Sequence, residues 1–128
     1  MQAAPLLAHI HQMLPLNTAE EEALRQSITL KKLRRKQYLL QEGDICKHYN
    51  FVLEGCLRMY YVDEKGIEHI LQFATENWWV SDIGSFHSET PSQLYIDALE
   101  PSVVLQIKKQ DLLHLYSHYP KSLIFAII

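Results

Sequence analysis

Apolar and polar residues alternate through the middle of the chain. Leu57, Met59 and Tyr61 alternate with Arg58 and Tyr60. The return strand is predicted to place Ile67, His69, Leu71 and Phe73 on one face. Further alternating sets are Leu94, Ile96 and Ala98, and then Val103, Leu105 and Ile107. A period of two is typical of β-strands that bury one face. Residues that favour turns recur every 10 to 14 positions, at Gly43, Gly55, Gly66, Asn77, Pro91 and Pro101. This spacing predicts a mainly β jelly roll of short strands.

Helical periodicity flanks this region on both sides. Before it, apolar residues follow a helical spacing at Leu6, Leu7, Ile10, Met13 and Leu14. Thr18 and Glu21 form a capping box, which starts a helix running to about Ser27. After Lys109 the helical period returns at Leu112, Leu115, Tyr116 and Tyr119, and Pro120 suits the first turn of another helix. We therefore expect one domain over 1–128, with helices at about 4–27, a β-roll at about 28–108 and helices at about 109–128.

Composition and charge limit the classes of protein to which the chain can belong. The chain has 128 residues with a net charge of −3, which disfavours a bulk electrostatic grip on nucleic acid. No Lys or Arg precedes Arg25, so the basic start of a signal peptide is lacking, and no apolar run is long enough to span a bilayer. We expect a cytoplasmic protein with no membrane partner. The apolar stretch Leu123–Ile128 has no polar end, so we expect either a fragment of a longer chain or a domain that needs a partner there.

Several short motifs resemble those of a cyclic-nucleotide-binding domain. The corner Leu39–Asp44, with Gly43, resembles the family's l-x-x-x-G-d motif, and Phe51–Arg58 resembles its f-v-l-x-G-x-v-r strand pair. Asp63–Gly66 is similar to the family's hairpin, for which a type I turn with a bulge is expected. Val104–Ile107, Asp111–Leu113 and Pro120 are similar to its exit strand and helices. Order and spacing agree from about Leu16 to the end of the chain.

The resemblance implies a function and partners. In the order of its motifs and predicted elements, the chain is similar to the sensor half of a Crp/Fnr-type bacterial transcription regulator. It is therefore not expected to be an enzyme. In that family a long dimerisation helix and a helix-turn-helix follow, and both would lie beyond Ile128. We therefore expect a small-molecule effector, a homodimer formed through the C-terminal helix, and DNA contact only through a segment absent from this chain. An alternative within the fold is a domain that controls a channel or a kinase.

The family's phosphate-binding cassette predicts the position of the ligand pocket. Its Glu holds the ribose hydroxyl and its Arg neutralises the cyclic phosphate, whereas the corresponding positions here are Asp82 and Ser92, and Ser81 replaces a Gly. No Lys or Arg occurs from Gly66 through Ile107. A buried phosphate without a cation lacks its main compensation for desolvation, so weak or no binding of cyclic AMP is expected. The candidate pocket residues are Val80, Ser81, Asp82, Ile83, Ser92, Gln93 and Leu94. They suit a neutral or cationic ligand, or else a cassette that only packs. Arg58, or a cation from a partner chain, is the route by which a phosphate could still be held.

Other groups that bear on chemistry favour structural roles. His114 and His118 are four residues apart on a predicted helix, but no third metal ligand is near in sequence, so no metal is expected. A small cupin-like metalloenzyme is a further alternative, although His69 and His87 stand alone within the strand region and lack a His-x-His pair. Cys46 and Cys56 are expected to be reduced structural thiols. Trp78 and Trp79 are expected in the core or in an interface.

The stretch Lys31–Lys36 has five basic residues in six. A solvated edge strand explains it, because lysine side chains discourage pairing at a sheet edge. A contact for phosphate, RNA polymerase or DNA is the alternative.

Overall fold

A computed structural model of the chain describes residues 18–118. The helices are α1 (Thr18–Ser27), α2 (Ile83–Ser88) and α3 (Lys109–His118). The strands are β1 (Ile28–Leu33), β2 (Tyr38–Leu40), β3 (His48–Glu54), β4 (Leu57–Val62), β5 (Glu68–Ala74), β6 (Tyr95–Ala98) and β7 (Ser102–Lys108). The helix predicted at residues 6–14 and the helix after Pro120 lie outside the described residues.

The strands form two antiparallel sheets. One has the order β1-β7-β3, and the other has the order β2-β6-β4-β5. Both contribute to one core, with Val52 and Val104 from the first sheet and Leu57 and Ile96 from the second, all fully buried. The mainly β jelly roll predicted from the alternation is therefore confirmed.

Helices close one side of this core. Leu24 of α1 and Leu115 of α3 are fully buried and belong to the same apolar cluster as the strands. Trp79 packs edge-on against Phe51 with ring centroids 5.1 Å apart, as the core prediction expected, whereas Trp78 is half exposed. None of the helices in the described part of the chain is long and apolar enough to cross a membrane.

The predicted turns fall where the chain needs a left-handed backbone. Gly43, Gly55 and Gly66 all have positive φ, between 82° and 95°. In the hairpin, the Gly66 N–H donates to the Asp63 carbonyl oxygen at 3.0 Å, and the Asp63 N–H donates to the Ile67 carbonyl oxygen at 2.9 Å. A type I turn followed by a left-handed glycine explains this pattern, so the hairpin prediction is confirmed.

The prediction that Ile67, His69, Leu71 and Phe73 share one face is wrong. Met59 pairs with Gln72, but the next residue, Tyr60, pairs with Ile70, so Leu71 is an extra residue that forms a bulge. An extra residue shifts the alternation by one, so that residues two or four apart across the bulge no longer share a face. Phe73 consequently lies opposite Arg58, while His69 lies opposite Tyr61 and stacks on its ring at 4.7 Å between centroids.

The basic stretch Lys31–Lys36 occupies a sheet edge. Strand β1 is the outer strand of its sheet, and Lys31 and Lys32 are exposed. The solvated edge strand expected from the sequence agrees with this position. The alternative, a contact for phosphate, RNA polymerase or DNA, stays a prediction.

Candidate functional site

Asp82 and Ser92, which the sequence predicts to replace the cassette's glutamate and arginine, are bonded to each other. The Ser92 hydroxyl donates to Asp82 Oδ2 at 2.5 Å, and Ser92 is 3% exposed. The other carboxylate oxygen, Asp82 Oδ1, accepts from the Ser85 N–H at 3.2 Å and so caps the N-terminus of α2. Both oxygens of Asp82 therefore have donors within the protein.

Backbone hydrogen bonds hold Ser92 in place. The Ser92 N–H donates to the Asp44 carbonyl oxygen at 2.7 Å, and the Gly43 N–H donates to the Ser92 carbonyl oxygen at 2.8 Å. The left-handed turn at Gly43 brings this corner against the cassette. The exit of the cassette is thus tied to the corner that precedes β3.

Ser81 and Val80 belong to the interior of the roll. Val80 is 1% exposed and part of the apolar core. The Ser81 hydroxyl accepts from the backbone N–H of Asn50 at 3.1 Å and donates to the His48 carbonyl oxygen at 3.0 Å. Gln106 donates to Asn50 Oδ1 at 2.9 Å, which extends the network across to β7. These bonds fasten the cassette entrance to β3.

The remaining candidate residues lie at the surface or along a cavity. Ile83 is 45% exposed at the start of α2. Ser92, Gln93 and Leu94 line an open cavity of about 660 Å³, together with Tyr61 and other residues. Of the seven predicted residues, Ser92, Gln93 and Leu94 therefore line one cavity, whereas the other four lie in the interior, at the surface or, for Asp82, partly buried against Ser92.

The charge of this cavity is acidic. Glu42 is its one charged lining residue among residues 18–118. Arg58, the cation that the sequence offered for a phosphate, donates through Nε to Asp97 Oδ1 at 2.8 Å and through a terminal nitrogen to Glu68 Oε1 at 3.1 Å. Its guanidinium also lies over the Tyr60 ring, 4.2 Å from the centroid. The hydrogen bond with Asp97 raises the pKa of Arg58. The guanidinium is therefore charged and already paired with the carboxylates of Asp97 and Glu68.

Sequence reasoning missed a set of residues on the other side of α2. Lys109, the first residue of α3, donates from Nζ to the His87 carbonyl oxygen at 2.8 Å and pairs with Glu89 Oε1 at 3.2 Å. Ser85 of α2 accepts from the Cys46 N–H at 2.9 Å and donates to the Thr90 carbonyl oxygen at 2.6 Å. The cassette helix is therefore fastened both to the segment before β3 and to α3.

The cysteines have the character of structural thiols. Cys46 is buried and Cys56 is partly buried, and both are free. Burial raises the pKa of the Cys46 thiol and that of the Cys56 thiol, which lowers the fraction of reactive thiolate.

Histidines and carboxylates do not gather into a metal site within residues 18–118, where no group of three such ligands occurs. His114 and His118 instead stack on each other with ring centroids 4.1 Å apart.

A family model covers most of the chain. Residues 30–119 match the cyclic nucleotide-binding domain. No curated protein matches the chain.

Solved structures of bacterial regulators share the fold. The catabolite activator protein of Thermus thermophilus matches with a TM-score of 0.76 and 16% identity, over 93% of this chain and 54% of that protein. The sensor domain of the transcriptional regulator DNR from Pseudomonas aeruginosa matches with a TM-score of 0.80 and 20% identity, over 98% of this chain and 82% of that domain. The N-terminal domain of a transcriptional regulator from Streptomyces coelicolor A3(2) matches with a TM-score of 0.71 and 21% identity, over 98% of this chain and 86% of that domain. The chain thus spans about half the length of the whole catabolite activator protein.

Proposed function

Because this chain belongs to the cyclic nucleotide-binding domain family, we propose that it is the ligand-sensing part of a Crp/Fnr-type transcription regulator. The likeness in fold to two domains of named transcriptional regulators supports this assignment. In this proposal the chain has no catalytic role. In the same proposal, DNA is contacted by a helix-turn-helix outside this chain, and the regulator is a homodimer formed through the C-terminal helix that the sequence predicts.

The contacts that Lys109 makes between α2 and α3 are the observation that supports the proposal most directly. Lys109 Nζ of α3 lies 2.8 Å from the carbonyl oxygen of His87 in the last turn of α2. The same atom lies 3.2 Å from Oε1 of Glu89, the residue that follows α2. A ligand that moves α2 would therefore also change the position of the first residue of α3. A signal needs a ligand with different affinity for two poses of such an element.

We further propose that cyclic AMP is not a tight ligand. To enter the cassette, a cyclic phosphate must break the bond between Asp82 and Ser92 and then face the Asp82 carboxylate. A charge-assisted hydrogen bond of the type that the cassette's Arg supplies contributes about 1.5–3 kcal/mol. Its loss lowers affinity by about one to two orders of magnitude. A neutral or cationic small molecule suits the acidic cavity beside Ser92, Gln93 and Leu94 better.

The regulatory role is tested with the complete reading frame that contains this chain. The expected result is that the full-length protein retards a DNA fragment from its own upstream region in a mobility-shift assay. The matched control is the 128-residue chain alone, which is expected not to retard it. A full-length protein that carries a kinase or channel segment, or that binds no DNA, would contradict the proposal.

A further inference from the structure

A second groove lies between the segment 45–48, the cassette helix α2 and the start of α3. It encloses about 580 Å³, which is within the range of small-molecule sites. Its apolar lining residues include Phe86, which is fully buried, and Ile45 and Leu113, which are exposed. The groove is therefore an apolar slot of ligand size at the joint between α2 and α3.

The rim of this groove is positively charged. Lys47, Lys108 and Lys109 all line it, and Glu89 is its one acidic lining residue among the described residues. Glu89 is already paired with Lys109 at 3.2 Å. Neither Lys47 nor Lys108 has a carboxylate partner within 4.0 Å in the described part of the chain. Two ammonium groups are therefore left to attract an anion.

His48 lies among the same cations. It pairs with Lys108 across the β3–β7 ladder and also lines the groove. Burial, and then the ammonium groups of Lys108, Lys31 and Lys47, lower the pKa of its imidazole. The ring is consequently neutral at pH 7, and its nitrogen atoms serve as a hydrogen-bonding group beside the two free lysines.

We propose that this groove binds a small organic anion whose carboxylate or phosphate lies between Lys47 and Lys108 and whose apolar body packs on Ile45, Phe86 and Leu113. Residues 80–94 contain no Lys or Arg, whereas this groove, which α2 also lines, has three lysines. An occupant would contact α2 and α3 at the point where Lys109 joins them. The inference does not depend on the proposed sensor role, because the groove is outside the cassette cavity.

Phenyl phosphate is a suitable probe, with benzoate as the carboxylate counterpart. Each is titrated into the ¹⁵N-labelled chain and followed by backbone amide shifts. The expected result is that amides of residues 45–48, 86, 108–110 and 113 shift for at least one of the two. Phenol, which lacks the charge, and inorganic phosphate, which lacks the apolar body, are each expected to bind more weakly by about tenfold, because each loses one class of contact.

The variant Lys47→Gln/Lys108→Gln is expected to weaken that binding by about tenfold. Lys32→Gln/Lys65→Gln removes the same charge from exposed positions outside the groove and is expected to leave the affinity unchanged. A well-dispersed amide spectrum checks that each variant is folded, and the single variant Lys47→Gln, at an exposed position, provides a second test. No shifts, shifts confined to residues 92–94, or equal losses in both double variants would overturn the proposal.

Discussion

The Ser92 hydroxyl and the Asp82 carboxylate lie 2.5 Å apart, at the two positions that the sequence predicts to correspond to the cassette's arginine and glutamate. The same carboxylate caps α2 through Ser85. The two side chains therefore contribute to the packing of this part of the roll.

Ser92→Ala tests the contribution of this bond to stability. The substitution leaves Asp82 Oδ2 without its serine donor and also removes the acceptor of the Leu94 N–H. We expect the free energy of unfolding to fall by about 1–2 kcal/mol, measured by urea denaturation. Ser88→Ala, at an exposed position at the end of α2, is the matched control, with an expected change within about 0.5 kcal/mol. Equal losses in the two variants would show that the Asp82–Ser92 bond has no special weight.

Gly55→Ala tests the close approach of two loops. A Cβ at Gly55 would lie 2.8 Å from the Pro101 carbonyl oxygen and would also overlap the Ser102 hydroxyl, on a backbone with φ of +95°. Gly66→Ala is the control, since it has a positive φ but no atom within 4 Å of the added Cβ. We expect the control to cost about 1–3 kcal/mol from backbone strain alone. A larger loss is expected for Gly55→Ala, and a loss no greater than that of the control would contradict the packing described here.

His48 makes stability depend on pH. Burial, Lys108, Lys31 and Lys47 lower its folded-state pKa below the ordinary value of 6.5, so the unfolded chain takes up the proton first as the pH falls. The stabilising contribution is therefore present above pH 6.5 and is lost as the pH falls toward the lower folded-state pKa.

This prediction is measured by urea unfolding at about pH 7.5 and about pH 5.5. We expect the wild-type chain to lose more stability between these values than His48→Gln does. His114→Gln, at an exposed position on α3, is the control and is expected to behave as the wild type. If His48→Gln loses as much stability as the wild type, burial and the neighbouring lysines do not lower the pKa of the His48 imidazole.

How far the fold could be predicted depends on whether a feature is local. Gly43, Gly55 and Gly66 could be placed in turns because a positive φ is a property of a single residue. The bulge at Leu71 could not be predicted, because it depends on which residues of β4 pair with β5. The same limit explains why Trp79 contacts Phe51 while its neighbour Trp78 is exposed.

The candidate site shows the same division. Comparison of motifs identified Asp82 and Ser92 as substituted positions, but their mutual bond depends on the turn that brings Gly43 against Ser92. The second groove joins Lys47 to Lys108, which are far apart in sequence and meet through the pairing of β3 with β7. No local pattern marks such a cluster.

The double substitution Asp82→Glu/Ser92→Arg introduces the two side chains of the family's cassette pattern, a glutamate one methylene longer than Asp82 and a cation at position 92. We expect it to tighten cyclic AMP binding by about tenfold or more relative to the wild type, because the phosphate gains a charge-assisted partner. Asp82→Glu/Gln93→Arg carries the same charges with the arginine one position further along, and it is expected to give a smaller gain. Equal affinities in the two variants, measured by calorimetry, would show that position within the cassette is unimportant.

Isothermal titration calorimetry of the unmodified chain with cyclic AMP and cyclic GMP tests the central claim most directly. With Asp82 and Ser92 bonded to each other and an acidic cavity beside them, we expect no binding tighter than about 100 μM for either nucleotide. A dissociation constant in the low micromolar range would contradict the account, because it would mean that the phosphate finds a partner that this cassette does not offer.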